Sequence, residues 1–265
     1  MSKIAQGFDH GKAFIPFVTA GDPDLETTKE LLPVLQESGA DLIEIGIPFS
    51  DPVAEGIVIQ KADERALAAG TTTDKIFDMV ESIQDKMHVP MVFMTYANVI
   101  FVYGIEKFAK RSKEIGMSGV IIPDVPFEEK EEMDSVFSKY DLDVISLIAP
   151  TSHDRIQAIA AEAKGFVYCV SSLGVTGMRS TINKGVAQMI EQVKKTKDIP
   201  CAIGFGISTP EQAKEMSEFS DGVIVGSAIV KLVETYGKEC IKPVSEYVKS
   251  SATRATRPRS STPCA

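Results

Sequence analysis

The sequence predicts an α/β fold, a single-domain (β/α)₈ barrel of the TIM type. Short apolar runs alternate with stretches of helical spacing, and about eight such units fit the typical length of this fold. The apolar runs are continuous rather than alternating, as in parallel strands covered on both faces. An open, doubly wound sheet is the alternative. No GxGxxG motif follows the first strand, so the barrel is favoured.

Each predicted strand is followed by a loop and a helical stretch. Helices are predicted over Leu25–Ser38, which Gly39 ends, over Ile105–Ile115, and over Pro210–Phe219, where Thr209 precedes a proline at the first helical position. The predicted strands are Ala13–Val18, Leu42–Ile47, Met91–Thr95, Gly119–Ile122, Val144–Ala149, Phe166–Val170, Cys201–Gly204 and Gly222–Val225.

Composition excludes several classes of function. The net charge is -9, which argues against nucleic acid as a general partner, because phosphate neutralisation needs a basic face. No apolar run approaches the roughly 20 residues that cross a bilayer, so no membrane association is expected. The four cysteines are scattered and the three histidines lie far apart, which indicates a reducing cytoplasm and no metal site.

The C-terminal residues differ from the rest of the chain. Residues 1–249 carry the barrel pattern, whereas residues 250–265 contain no carboxylate and no large apolar side chain. Such a segment buries too little surface to order itself. We expect a flexible tail there, either native or an appended sequence.

Glycines at the ends of the last two strands predict a phosphate site. The loops after strands seven and eight form the usual phosphate cradle of such barrels. Gly206 and Gly226 allow backbone amides to approach an anion, Ser227 opens a helix, and Gly177 lies in the long loop after strand six. A single glycine would indicate only a turn, but the pair in consecutive units favours a phosphate site.

Glu44 interrupts an otherwise apolar strand. Side chains alternate along a strand, so Glu44 shares a face with Leu42 and Gly46, whereas the neighbouring isoleucines share the other. Isoleucines suit the layer between strands and helices, which turns Glu44 into the barrel. Desolvation is then expected to raise its pKa into the range useful for proton transfer. The alternative is a structural Glu satisfied by hydroxyls and backbone donors.

Two absences narrow the chemistry. The predicted strands contain no lysine, which disfavours a Schiff-base aldolase, and no acidic or histidine cluster supports a metal-dependent one. Carboxylate acid–base chemistry on a phosphorylated substrate remains. Aromatic residues near strand ends form either a slot for a flat ring or ordinary core packing; they are Phe17, Phe49, Tyr96, Tyr168 and Phe205.

Seven motifs extend over about residues 8 to 248, in order and with suitable spacing. They are FIPFVTAGDPD (14–24), IEIGIPFSDPVAEG (43–56), MTYANVIFVYG (94–104), PDVPFEE (123–129), SSLGVTGMR (171–179), GFGIST (204–209) and GVIVGSAIVK (222–231). This set resembles the tryptophan synthase alpha chain family, and the PFSDP and GVTG stretches are highly specific.

The resemblance implies a lyase of tryptophan biosynthesis that cleaves indole-3-glycerol phosphate to indole and glyceraldehyde 3-phosphate, without a metal or organic cofactor in this chain. Glu44 matches the catalytic Glu, and Glu55 falls at the second catalytic carboxylate. The implied substrate-pocket residues are Phe17, Tyr96, Tyr168, Thr176 and Phe205, and the implied phosphate ligands are Gly177, Gly206, Gly226 and Ser227.

The resemblance also implies a partner. The family works with a beta chain that carries pyridoxal phosphate, in an α₂β₂ heterotetramer that channels indole between subunits. Pro48, Asp51 and Asn98 match the interface with that chain.

Two departures from the family pattern concern activity. Glu55 stands where the family has Asp, and Ile57 where it has Pro. The extra methylene carries the carboxylate about 1.5 Å further, and positioning errors near 1 Å cost roughly a hundredfold in rate. We therefore expect weakened cleavage. The alternatives are a catalytically weak regulatory subunit that activates a beta chain, or another phosphate-binding barrel such as a sugar-phosphate isomerase.

Overall fold

The computed structural model describes residues 2–171, 179–204, 207 and 209–256, and within them the chain forms a closed barrel of eight parallel strands. Each strand pairs with its neighbours in sequence, and the last strand closes on the first. The predicted fold class is thereby confirmed. The strands are β1 (Ala13–Thr19), β2 (Ile43–Gly46), β3 (Met91–Met94), β4 (Gly119–Ile121), β5 (Asp143–Ile148), β6 (Val167–Val170), β7 (Cys201–Gly204) and β8 (Gly222–Val225).

Helices cover the outside of the barrel, and several begin at the residues that the sequence indicates. Asp24 caps the first helix by accepting from the Thr27 amide at 2.8 Å. Thr209 and Gln212 form a capping box. The helices are α1 (Leu25–Glu37), α2 (Ile57–Ala68), α3 (Thr73–Glu81), α4 (Ala97–Tyr103), α5 (Ile105–Glu114), α6 (Lys130–Phe137), α7 (Ile156–Glu162), α8 (Arg179–Thr196), α9 (Pro210–Ser217), α10 (Ser227–Tyr236) and α11 (Ile241–Thr256).

The apolar residues form two layers that follow the alternation of the strands. Leu42 belongs to the inner layer, with side chains such as Phe17 and Tyr168 that fill the barrel. Ile43 and Ile45 belong to the outer layer, between the strands and the helices. The predicted orientation of the two faces of β2 is therefore correct, and it places Glu44 on the inner face.

An ion pair joins the loop after β1 to α2. The Arg65 guanidinium donates two hydrogen bonds to the Asp22 carboxylate, each 2.8 Å long, and Glu234 of α10 lies 3.5 Å from the same guanidinium. The Asp22 side chain is only 2% exposed. This contact holds α2 against the barrel mouth with bidentate geometry.

The expected boundary of the C-terminal tail at residue 250 is wrong. Helix α11 continues to Thr256, with Ser251 and Ala252 buried. The backbone of Gly39 comes so close that a Cβ built there would lie 3.2 Å from the Ala252 Cβ. Small side chains are what such a close approach requires, so a lack of large apolar residues did not indicate disorder here. Residues 257–265 lie outside the described residues.

Candidate active site

Glu44 is a buried acid at the mouth of the barrel. It pairs in register with Phe17 of β1 and Val92 of β3, and it is 1% exposed. Neither carboxyl oxygen has a hydrogen-bond partner among the described residues. Burial, together with the charge of Glu55, raises the pKa of Glu44 to about 8. The carboxyl group therefore carries its proton at neutral pH and is able to donate it.

The structural alternative for Glu44 required hydroxyls or backbone donors around its carboxyl group. Within the described part of the chain no such donor is in contact with it. An unpartnered buried acid costs free energy of folding, and sites of catalysis are where such groups concentrate. This geometry favours the functional interpretation.

Two aromatic side chains flank Glu44 inside the barrel. The Tyr168 pKa is raised well above its ordinary value, first by burial and then by the charge of Glu44, which places the two side chains near each other. The Tyr168 ring lies against β7 at Gly204, where a built Cβ would be 2.2 Å from its hydroxyl oxygen. The Phe17 ring lies between Gly46 and Gly226. The three glycines, on the strands paired with β1 and β6 or directly after them, have no side chains and so leave room for the two rings.

The loop after β2, residues 47–56, contacts Tyr96, which follows β3. The Tyr96 hydroxyl accepts a hydrogen bond from the Ala54 amide at 3.0 Å, and the Phe49 and Tyr96 rings lie 5.1 Å apart between centroids. The Gln60 amide group donates to the Glu55 carbonyl at 2.8 Å. These contacts bring Glu55 to the mouth of the barrel.

The Glu55 side chain is half-buried and points toward other polar groups of the site. Its carboxyl group interacts with the Asp63 carboxyl and the Tyr96 hydroxyl, and one of its oxygens has no hydrogen-bond partner among the residues described. Burial raises the pKa of Glu55, and the Asp63 and Tyr96 contacts oppose that rise. The charge of Glu55 contributes to the raised pKa of Glu44, which places the two carboxyl groups near each other.

Asp63 is a member of the site that the motifs did not indicate. It lies on α2, it is 4% exposed, and its carboxylate accepts from the Phe49 amide at 3.4 Å. Burial, followed by the charge of Glu55, raises the pKa of Asp63 to about 8. Helical periodicity could have indicated that Asp63 is buried, because it lies with Ala62 and Ala66 on the face of α2 that packs inward.

The described part of the predicted phosphate site lies at the start of α10. Gly226 precedes the helix and Ser227 is its first residue, and both are half-buried. The amides of this first turn have no partners within the helix, so they are available to an anion. Thr176, Gly177, Phe205 and Gly206 lie outside the described residues.

The three predicted interface residues differ in exposure. Asp51 and Asn98 are exposed, but Pro48 is buried within the chain. Pro48 lies two residues after the end of β2 and next to the buried Ile47. Exposed apolar side chains lie on the same loop (Val53), at the start of α2 (Ile57) and on α4 (Phe101 and Val102).

Two structural features are absent from the described ranges. There, no group of three or more His, Cys, Asp or Glu side chains is arranged to hold a metal ion. Over the same ranges, no helix is long and apolar enough to cross a membrane.

Comparison with known proteins agrees with this geometry. The sequence pattern described as "Tryptophan synthase alpha chain" matches residues 5–256. The chain belongs to the tryptophan synthase alpha chain family. Curated members include the Lacticaseibacillus casei protein, 47% identical over 94% of both chains, and the Geobacter sulfurreducens protein, 48% identical over 94% of this chain and 97% of that one.

Solved structures of tryptophan synthase alpha chains share the barrel. The alpha subunit from Legionella pneumophila superposes with a TM-score of 0.87 at 36% identity, covering 96% of this chain and 98% of that one. A chain of tryptophan synthase from M. tuberculosis, in an aminoacrylate-bound form, superposes with a TM-score of 0.85 at 31% identity, covering 97% and 100%. Membership of the tryptophan synthase alpha chain family implies a lyase role in tryptophan synthesis.

Proposed function

We propose that this chain cleaves indole-3-glycerol phosphate to indole and glyceraldehyde 3-phosphate. The observation that carries the proposal is Glu44, a buried carboxyl group without a partner among the described residues and with a pKa of about 8. An acid in this state is able to donate a proton near neutral pH and then to accept one.

The proposed reaction is a retro-aldol cleavage. Glu44 protonates the indole ring carbon that bears the side chain, and positive charge develops on the ring. The glycerol hydroxyl on the adjacent carbon loses its proton as its C–O bond becomes a carbonyl. The carbon–carbon bond then breaks, and its electron pair restores the aromatic ring. Glu44 is both the proton donor and the acceptor in this scheme.

The other residues of the site bind the substrate and stabilise the positive charge that develops on its ring. Glu55 accepts a hydrogen bond from the indole N–H and lowers the energy of the cationic ring, an electrostatic contribution that is largest in a dry site. Phe17, Tyr96 and Tyr168 line the slot for the ring, and the start of α10 contributes to phosphate binding through Gly226 and Ser227. Thr176, Gly177, Phe205 and Gly206 are proposed for the same pocket from their sequence motifs alone.

We propose a beta chain as partner, in an α₂β₂ heterotetramer, with pyridoxal phosphate on the beta chain and no cofactor in this one. Val53 and Val102 are each 81% exposed and lie on the C-terminal face of the barrel, beside Asp51 and Asn98. Exposed apolar side chains grouped on one face are typical of a protein interface. A cytoplasmic location, expected from the scattered cysteines, is part of this proposal.

The test is indole release from indole-3-glycerol phosphate by the purified chain, with and without a beta chain. The Glu44→Gln variant should lose at least about a hundredfold in kcat/KM. Asp41→Asn is the matched control, because Asp41 is an acid at the opposite end of the barrel that accepts from the Phe14 amide. Full activity in Glu44→Gln would contradict the proposal.

Two residues of the loop region bear on the rate: the longer side chain of Glu55 moves its carboxylate, and Ile57 lacks the fixed φ that a proline gives to the start of a helix. We propose that Glu55 and Ile57 weaken cleavage relative to Asp and Pro, so the double variant Glu55→Asp, Ile57→Pro should raise kcat. An unchanged kcat would reject this part. Activation of a beta chain by a wild-type chain that releases no indole would instead support the regulatory alternative.

A further inference from the structure

We propose that Asp63 is a positioning residue, which holds the Glu55 carboxylate through a shared proton and joins the two ends of the loop after β2. The inference rests on the proposed function, because it assigns Glu55 its orientation for the cleavage reaction.

The contacts of Asp63 span the loop. Its carboxylate accepts from the amide of Phe49, near the start of the loop, at 3.4 Å. The same side chain interacts with the Glu55 carboxyl group, near the end of the loop. Asp63 itself is fixed on α2, whose position the Arg65–Asp22 ion pair secures. One buried side chain therefore fixes both ends of the segment that carries Glu55.

The pairing requires a proton. Two carboxyl groups within hydrogen-bond reach cannot both be ionised at neutral pH, because like charges at that distance repel strongly. The groups that face the pair add to this effect, since Asp22 follows β1 and Tyr96 follows β3. The nearby cation Arg65 is engaged by Asp22 and Glu234. One proton therefore stays with the pair.

Placing that proton on Asp63 gives each acid a role. The protonated Asp63 donates to Glu55, and Glu55 stays negatively charged and able to accept a hydrogen bond from a ring N–H. When Asp63 ionises at alkaline pH, a second negative charge develops beside Glu55. The two side chains then repel, and the end of the loop loses its attachment to α2.

A ¹³C NMR titration of carboxyl-labelled Asp and Glu tests the shared proton without reference to catalysis. The Asp63 carbon should titrate near pH 8, far above an ordinary Asp, and Glu55→Gln should lower that midpoint, because an amide N–H then donates to Asp63. A midpoint in the ordinary acid range for Asp63 in the wild-type chain would overturn the proposal.

The pH dependence of kcat/KM tests the functional consequence. Glu44 titrates in the same range as Asp63, so both groups lose a proton as the pH rises. Wild-type kcat/KM should therefore fall on the alkaline side as steeply as the loss of two protons requires. The Asp63→Asn variant keeps a permanent hydrogen-bond donor to Glu55, so its kcat/KM should fall only as steeply as the loss of one proton, from Glu44, requires. Asp63→Ala removes the contact and should lose at least about tenfold in kcat at neutral pH.

Glu64→Gln is the matched control, because Glu64 is the exposed neighbour on the same helix and should leave the profile unchanged. Identical profiles for wild type, Asp63→Asn and Asp63→Ala would reject a positioning role. A wild-type chain that releases no indole would reject the proposed function instead, and the NMR titration would still decide the pairing.

Discussion

The ring of Phe17 occupies the space in which a side chain at Gly46 would stand. A Cβ built on Gly46 would lie 2.5 Å from the Phe17 Cζ, whereas non-bonded carbon atoms ordinarily lie about 3.5–4.0 Å apart. Phe17 pairs in register with Glu44 of β2, and Gly46 is the next residue of that strand that faces inward. The packing of Phe17 against Gly46 therefore shapes the barrel interior next to the buried acid.

Gly46→Ala should destabilise the chain by about 1–3 kcal/mol, because the added methyl group forces the ring out of its place. Urea unfolding measures the change. Gly56→Ala is the control, since a Cβ there meets no atom within 4 Å. If Phe17→Leu in the Gly46→Ala background restores no stability, the clash with the ring is not the cause.

Glu44 should make the stability of the protein depend on pH. Its folded pKa of about 8 lies above the ordinary glutamate value of 4.5, so the folded chain holds a proton that the unfolded chain releases between these values. Stability contributed by this proton is complete below pH 4.5 and is lost as the pH rises toward 8, with a slope of at most about 1.4 kcal/mol per pH unit.

Unfolding in urea at several pH values between 5 and 8 measures this dependence. Glu44→Gln removes the titrating group, so its free energy of unfolding should fall less with rising pH than that of the wild type. Asp63 contributes in the same direction, which leaves some slope in the variant. If the free energy of unfolding changed equally with pH in the wild type and in Glu44→Gln, Glu44 would not be buried in its protonated form.

Arg65→Ala should destabilise the chain by about 3 kcal/mol, because it leaves the buried Asp22 carboxylate unpaired. Arg65→Lys should restore only part of the loss, since an ammonium group cannot form the bidentate contact. Arg155→Ala is the control: Arg155 and Glu128 form an exposed pair, for which a cost below about 1 kcal/mol is expected. Equal losses of stability in Arg65→Ala and Arg155→Ala would contradict this ranking.

Val102→Asp should leave stability within about 0.5 kcal/mol of the wild type, because the side chain is 81% exposed. The same change should weaken binding of a beta chain at least about tenfold if α4 lies in the interface. Isothermal titration calorimetry compares it with Tyr236→Asp, an exposed aromatic at the far end of α10. Unaltered affinity for Val102→Asp would place the interface elsewhere.

Features that depend on local periodicity were predictable from the sequence. The continuous apolar runs located each strand to within about two residues, because a parallel strand buried on both faces must be apolar throughout. Alternation along β2 correctly turned Glu44 inward. Both inferences use only neighbours in the chain.

Features that depend on distant packing were not predictable. Asp63 contributes to the site only because α2 folds back toward the loop that precedes it, and no motif marks that contact. Pro48 was expected at a partner interface, but it is buried within the barrel mouth. The end of α11 packs against Gly39, which lies more than 200 residues earlier in the chain, and composition alone suggested a tail.

The hydrogen bond between the Ala54 amide and the Tyr96 hydroxyl has an optical consequence. The chain contains six tyrosines and no tryptophan, so its tyrosines dominate its near-ultraviolet absorption. Movement of the loop away from Tyr96 would break a bond to one of these chromophores and shift its absorption band. An indole ligand would be the sole indole fluorophore in such a sample, so the protein and its ligand could be followed separately without any label.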